Sequence, residues 1–213
     1  MPVRRGRPAT VSRDQVVDAA LRVAREVGLD RLTMSRVAAE LGVAQMTVYH
    51  HVGSRAELGG LVVERLLDGV VVPEPDGEPW DVQLKALQAS VRRQLGSVGG
   101  VTAGLKVDLD AASGRLADAV LAILARAGFD EHTARLAFGA LFTYMLGQLD
   151  VDVAARPDRP ADDRTAELGR QFSTRRLDAD DVFDFGFDLL LAGLRQLLPP
   201  AEPVDGGGRG GAG

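Results

Sequence analysis

Residues 33–52 read TMSRVAAELGVAQMTVYHHV, and this string constrains the fold more than any other part of the chain. Thr33 is an N-cap residue type at the head of an apolar periodicity that runs to Leu41. Gly42 follows, and glycine turns left-handed without a Cβ clash. A further short helix is predicted from about Ala44 to His51. Ala38 is small enough for the two helices to close on each other. Leu41 and Val43 flank the turn as buried anchors, and Val48, six residues past the glycine, is a core contact. These are the requirements of a helix-turn-helix. Gln45, Met46, Thr47, Tyr49 and His50 then lie on the outward faces of the second helix. Amide, hydroxyl and aromatic side chains there can reach base edges and phosphates in a major groove. An αα-hairpin inside an ordinary helical core needs the same Ala-x-x-x-Gly. The whole string, framed by a capped helix on each side, favours DNA binding.

The rest of the chain is helical by pattern, punctuated by Pro and Gly, with no convincing strand run. Ser12 caps a first helix with Asp14 and Gln15 in its first turn. Val17, Ala20, Leu21, Ala24 and Val27 recur at helical spacing, and Gly28 is a natural stop. Ser54 caps a fourth helix, with Glu57 three residues on as in a capping box. That helix puts Leu58, Leu61, Val62, Leu66 and Val70 on one face. The stretch from Pro73 to Pro79 is a linker by composition. Further helices are predicted over about 80–98, 111–127, 130–153, 165–175 and 180–198, with a glycine break at Gly99-Gly100, a polar loop over 156–164 and a stop at Pro199-Pro200. The expected organisation is all-α: a flexible basic arm (1–10), a three-helix helix-turn-helix domain (11–72), a helical effector-binding and dimerisation domain (73–198) and a disordered tail (199–213).

Charge sharpens this division. The chain is acidic, with net charge -5 and pI about 5.3, which by itself argues against a nucleic-acid partner. Residues 1–72, however, hold ten arginines against eight acids. The acidity belongs to residues 73–213. Arg4, Arg5, Arg7 and Arg13 occur before the first acid, so a basic arm precedes an acidic body. Arg5-Gly6-Arg7-Pro8 resembles the core of minor-groove AT-hooks, since arginine favours narrow A·T-rich grooves; a plain flexible basic arm fits as well. Deleting residues 2–9 should lower DNA affinity and flatten its salt dependence, read by a salt titration of binding.

Several classes are excluded. Cys is absent, so there is no disulfide scaffold and no thiolate chemistry. No apolar run approaches a membrane span, and the N-terminus lacks a secretory signal, so the expected compartment is the cytoplasm, with no membrane partner. There is no nucleophile elbow, P-loop, His-Glu-x-x-His or dinucleotide fingerprint, and no enzyme is expected. Adjacent His50 and His51 diverge by about 100° on a helix and do not converge on a metal. No metal site and no cofactor is expected.

Taken together, Leu32-Thr33, Val37-Ala38, Leu41-Gly42-Val43, Thr47-Val48-Tyr49, His51-Val52, Ser54-Arg55 and Glu57-Leu58 resemble the DNA-binding domain of the TetR family of bacterial transcriptional repressors. The C-terminal part is similar, more weakly, to the tetracycline-repressor branch, through Gly77-Glu78-Pro79-Trp80, Gly128-Phe129 and the run from Phe185 to Leu194. The resemblance implies an all-helical homodimer that represses at a palindromic double-stranded operator until a small molecule binds its C-terminal domain. By that resemblance Gln45, Met46 and Thr47 read bases, while Tyr49, His50, His51 and Arg55 meet phosphates. Thr33 and Ser35 or Arg36 add contacts from the preceding helix. The alternative is a helical small-molecule-binding or scaffold protein without DNA function.

The resemblance also implies what the effector is not. In the tetracycline repressor a histidine holds the drug-bound magnesium, and that position falls at about Gly104. A second drug-contacting histidine falls near Gly69 and an amide-bearing contact near Leu87. His132 is the only imidazole beyond the DNA-binding domain. A largely apolar effector is expected instead, with Leu84, Leu87, Val91, Leu105, Val120, Leu124, Phe138, Phe142 and Met145 as candidate liners. The last helix carries more apolar surface than one core-facing stripe needs, so one side faces the core and the other a partner subunit. Leu141, Phe187, Leu190, Leu191 and Leu194 are the candidate dimer residues. Gly139, Gly147, Gly186 and Gly193 are expected to serve close helix contacts.

Overall fold

In a computed structural model of the protein, residues 11–74, 78–101, 112–154 and 178–198 are described. The arm with Arg5 and Arg7, Leu105, the loop and helix expected over 156–175, and the tail lie outside them. The described residues form eight α-helices and no strand. They are α1 (Arg13–Val27), α2 (Met34–Leu41), α3 (Gln45–His51), α4 (Arg55–Asp68), α5 (Trp80–Gly96), α6 (Ala112–Arg126), α7 (Glu131–Ala154) and α8 (Ala179–Arg195). A single 3-10 turn, Leu29–Arg31, joins α1 to α2.

Local chemistry sets most boundaries. Ser12 and Gln15 form a reciprocal capping box at α1: the Ser12 hydroxyl accepts the Gln15 N–H and the Gln15 amide oxygen accepts the Ser12 N–H. Gly28 ends α1 at φ 86°. Thr33 caps α2 by accepting the Arg36 N–H. Gly42 then adopts φ 66°, which lets the Gly42 N–H reach the Ala39 carbonyl and the Val43 N–H reach the Ala38 carbonyl. This is the paired closure of a Schellman turn. Any β-carbon at Gly42 would strain the turn, whatever space surrounds it.

At α4 the sequence expectation is half right. The Ser54 hydroxyl accepts the Glu57 N–H, but the Glu57 carboxylate does not return to Ser54. Its Oε2 accepts the N–H of Gly53, at 2.8 Å, and its Oε1 takes the Arg13 guanidinium, also at 2.8 Å. Glu57 thus reaches one residue further back, where it caps the turn and ties α4 to α1.

The three N-terminal helices bury Val16, Ala20, Val37, Ala38, Val48 and Val52 against Leu58, Val62 and Leu66 of α4. The same α4 carries Leu67 and Val70 into the cluster that holds Leu84, Leu87, Val91, Leu124 and Leu191 of the C-terminal body. One apolar core therefore runs through both parts, with α4 as the shared wall. Polar ties reinforce the joint. Arg115 of α6 donates to the Leu67 carbonyl at 2.6 Å, and Gln94 of α5 donates to the Gly69 carbonyl at 3.0 Å. The Val71 N–H meets the Ser90 hydroxyl at 2.9 Å, and the Leu29 N–H meets the Gly99 carbonyl at 2.7 Å.

In the body, α5 and α8 are laced by the pairs Lys85–Asp188, Arg92–Asp180 and Arg195–Asp81. Trp80 meets Phe129 edge-on at 5.4 Å between ring centroids. Gly186 serves the close approach expected of it: Tyr144 of α7 lies where its β-carbon would stand. The Tyr144 hydroxyl donates to the carbonyls of Phe183 at 2.9 Å and Val182 at 3.2 Å. Gly139, Gly147 and Gly193 have no described neighbour at the corresponding position. Burial raises the Tyr144 hydroxyl above its ordinary range, Asp184 adds in the same direction and Arg92 opposes. The neutral hydroxyl is therefore the form that the fold favours. Its contribution is complete below the unfolded value near 10 and is lost as pH rises through the folded one. Thermal melts between pH 9 and 11 should fall more steeply for the natural protein than for Tyr144→Phe.

Candidate DNA interface and effector cavity

Helix α3 has seven residues, too few to be stable alone, so its orientation is set by packing. Val48 is fully buried and Val52 nearly so. With those two turned inward, Gln45, Met46, Tyr49 and His50 share the exposed face, at spacings of one and four residues. Met46 is 63% and Tyr49 41% exposed, unusual values for large apolar side chains. Thr47 and His51 are half-buried at the edges of that face. Thr33, Ser35 and Arg36 are exposed at the start of α2. The Thr33 and Ser35 hydroxyls lie 3.1 Å apart, and the Thr33 oxygen also serves the cap.

Arg55 is placed differently from the phosphate-meeting role that the resemblance implies. Its Nε donates to the Leu32 carbonyl at 2.7 Å, and its Nη2 donates to the carbonyls of Asp30 and Leu29 at 2.5 and 3.3 Å. The guanidinium thus holds the turn between α1 and α2 against the start of α4. Sequence reasoning missed this because backbone carbonyls carry no side-chain signal. Arg55→Ala should lower stability by about 1.5–3 kcal/mol, since charge-assisted bonds are lost and buried carbonyls are stranded. Denaturant melts check the loss. A phosphate contact alone would instead reduce the salt slope of DNA binding and leave the melt unchanged.

The C-terminal body holds a part-open cavity of about 70 Å³. Leu84, Leu87 and Val91 of α5, Val120 of α6, and Phe138, Phe142 and Met145 of α7 line it, as the sequence suggests. Leu124 does not: it is fully buried in the packing behind the cavity. Its place is one helical turn beyond Val120, where the side chain meets the core. Leu141 and Phe187, expected at a dimer contact, line the cavity instead and are 7% and 4% exposed. Leu191 is 1% exposed within its own chain, so it too cannot face a partner. Leu190 and Leu194 are half-buried against the same core.

Five liners were in no candidate set, Leu67, Gln88, Leu95, Leu116 and Ala117, and three of them matter most. Leu67 comes from α4, so the cavity wall includes the last turn of the helix that carries the DNA-binding core. Leu116 of α6 adjoins Arg115, which holds the Leu67 carbonyl. Gln88 is the one strongly polar side chain in the lining. No signal in an isolated helix could have identified them, because each faces the cavity only through the crossing of α4, α5 and α6.

Beside the cavity, a groove between α5 and α8 shares Gln88 and Phe187 with it. Lys85, Arg92 and Arg93 line one side and Asp180, Asp184 and Asp188 the other. The Arg92 guanidinium also stacks 4.7 Å over the Phe183 ring. Among the described residues no three His, Asp or Glu side chains are grouped to hold a metal ion, and no helix is long and apolar enough to cross a membrane.

An exposed recognition helix on a helix-turn-helix, joined through one shared helix to a body with an apolar cavity, defines a small-molecule-switched DNA-binding regulator. Comparisons with known proteins agree. Residues 16–59 match the family described as bacterial regulatory proteins, tetR family. The chain is 31% identical to the tetracycline repressor protein class D of Escherichia coli over 93% of its own length and 96% of that protein. Apo ActR of Streptomyces coelicolor shares the fold with a TM-score of 0.73 at 25% identity, over 88% of this chain and 96% of that one. A tetracycline-repressor variant from Acinetobacter baumannii AYE in complex with minocycline gives 0.72 at 26% identity, over 93% and 100%. The chain belongs to the TetR family. It is a ligand-responsive DNA-binding transcription regulator, and the family members it matches are regulators, not enzymes.

Proposed function

We propose that this regulator is a cytoplasmic homodimeric repressor, released from a palindromic operator when a small, largely apolar effector enters the cavity between α5, α6 and α7. The DNA-binding unit is residues 11–72 and the effector and dimer body residues 73–198. Gln45, Met46 and Thr47 contact bases, and Gln45 has the geometry for a bidentate pair with adenine. Tyr49, His50, His51 and Arg36 meet phosphates, with Thr33 and Ser35 at the groove edge. The arm bearing Arg5 and Arg7 adds electrostatic affinity.

The observation that carries the switch is Leu67. It lines the cavity while the carbonyl of the same residue is held by Arg115 of α6. A ligand that parts α5 from α6 moves that end of α4, and with it α1–α3. Only a ligand that binds the DNA-incompetent arrangement more tightly can shift the equilibrium. Arg115→Gln should leave DNA binding intact and weaken its response to effector by a coupling energy of about 1–3 kcal/mol. The decisive experiment selects DNA with the purified protein and then screens compounds for release. A palindromic site with half-sites about one turn apart supports the reading, and selected fragments without a palindrome count against it.

Two stripes supply the partner surface. On α8, Phe185 and Leu189 are 68% and 58% exposed at four-residue spacing, and Leu197, in the turn just after the helix, is 61% exposed. On α7, Leu136, Gly139, Ala140, Thr143 and Gly147 are exposed at helical spacing. Exposed apolar stripes of this size mark association surfaces, and the small residues allow close approach.

A further inference from the structure

The cavity is apolar on every side but one. Gln88 lines it, and its amide Nε2 is closed off from solvent with no hydrogen-bond acceptor in reach among the described residues. A buried N–H donor left unpaired is costly, and native structures retain few of them. It is a donor waiting for an acceptor. The surroundings narrow the rest of the ligand. Phe138 and Phe142, with ring centroids 5.8 Å apart, give the lining an aromatic side. In the adjoining groove the three cations face three carboxylates, with Lys85 paired to Asp188 and Arg92 to Asp180. No net charge there selects an ionic head group. The free volume is about 70 Å³, so a ring-bearing ligand enters only as the walls move apart.

We infer that the effector is a neutral, ring-bearing apolar molecule with a hydrogen-bond-accepting oxygen, which the Gln88 Nε2–H grips inside the cavity. This rests on the cavity being the effector site. The amide acts as the orientation pin: apolar packing holds the ring system, and the single polar contact sets which end points inward. Molecules of the same shape without the oxygen leave the donor unpaired and bind less well.

The test uses methyl naphthyl ketone and its oxygen-free isostere isopropenylnaphthalene, titrated by calorimetry into the full-length natural protein, Gln88→Met and Val91→Trp. The natural protein should favour the ketone by about tenfold. Gln88→Met, which keeps length and removes the donor, should erase that preference, bind the isostere at least as well as the natural protein does, and melt no lower. Equal binding of both probes to the natural protein, or an intact preference in Gln88→Met, overturns the amide's role and leaves the cavity as the site. Val91→Trp fills the cavity and should bind neither probe. If it binds both like the natural protein, or if the natural protein binds neither, the cavity assignment itself fails.

Discussion

If the proposed homodimer forms through α8, Leu189→Glu is expected to convert it to monomers in light scattering, while the helical signal and the melting of the monomer stay close to normal. Leu189 is 58% exposed, so a carboxylate there meets water in the single chain and meets an apolar surface only across a dimer contact. Operator affinity should fall by about 100-fold or more, because two linked half-site contacts become two independent ones. Leu191→Ala should do the reverse. Leu191 is 1% exposed, packed with Phe183 and Phe187 inside the chain, so its truncation opens a cavity costing about 2–5 kcal/mol. The proposed dimer should persist in this variant until the whole fold melts. A dimer that survives Leu189→Glu would refute the α8 stripe as the partner surface.

Val48→Asp is the second large effect. Val48 has no exposed surface and sits at the meeting of α1, α2 and α3. Val48 lies within the apolar cluster, so a carboxylate there would have to unfold its surroundings or be buried among apolar side chains. A loss above about 4 kcal/mol is expected, with operator binding abolished and the melt shifted strongly downward. Gln45→Ala, three residues earlier, should leave the melt unchanged and cost roughly 1–3 kcal/mol of operator affinity at one base position. The contrast separates folding from reading on a single seven-residue helix. Equal effects of the two substitutions on stability would mean that α3 is not oriented as described.

Much of this architecture is legible in the chain because its causes are local. Ser12 with Gln15, Thr33, Gly42 and Ser54 act on atoms within about four residues, so their spacing alone foretells the caps and the left-handed turn. Val48 and the outward set from Gln45 to His50 follow from a period of 3.6 residues once one inward residue is known. Leu84, Leu87 and Val91 on α5 and Phe138, Phe142 and Met145 on α7 were equally readable as liners, since each falls on an apolar stripe of its helix.

The misassigned residues share one cause. Helix α8 is apolar around most of its girth, and its sequence says that two sides are covered without saying which side belongs to whom. Phe187 and Leu189 are about 200° apart on the helix, both large and both apolar. In the packed structure the Phe183–Phe187–Leu191 face turns inward, with Tyr144 against Gly186 and Phe183, and Phe185 and Leu189 stay outside. The Glu57 carboxylate is a smaller instance, since Arg13 from a distant helix shares it. Arg55 is another, its guanidinium drawn to carbonyls more than twenty residues away.

By itself, then, the sequence determined the helices, their caps, the left-handed Gly42 turn, the exposed face of α3 and the charge contrast between head and body. These rest on interactions a few bonds or one helical turn long. The tertiary structure decided the rotation of α8, the place of Leu67 and Gln88 in the cavity wall, and the bond from Arg115 that ties that wall to α4. Each depends on which helices cross and at what phase, and that is settled by the summed packing of residues far apart in the chain.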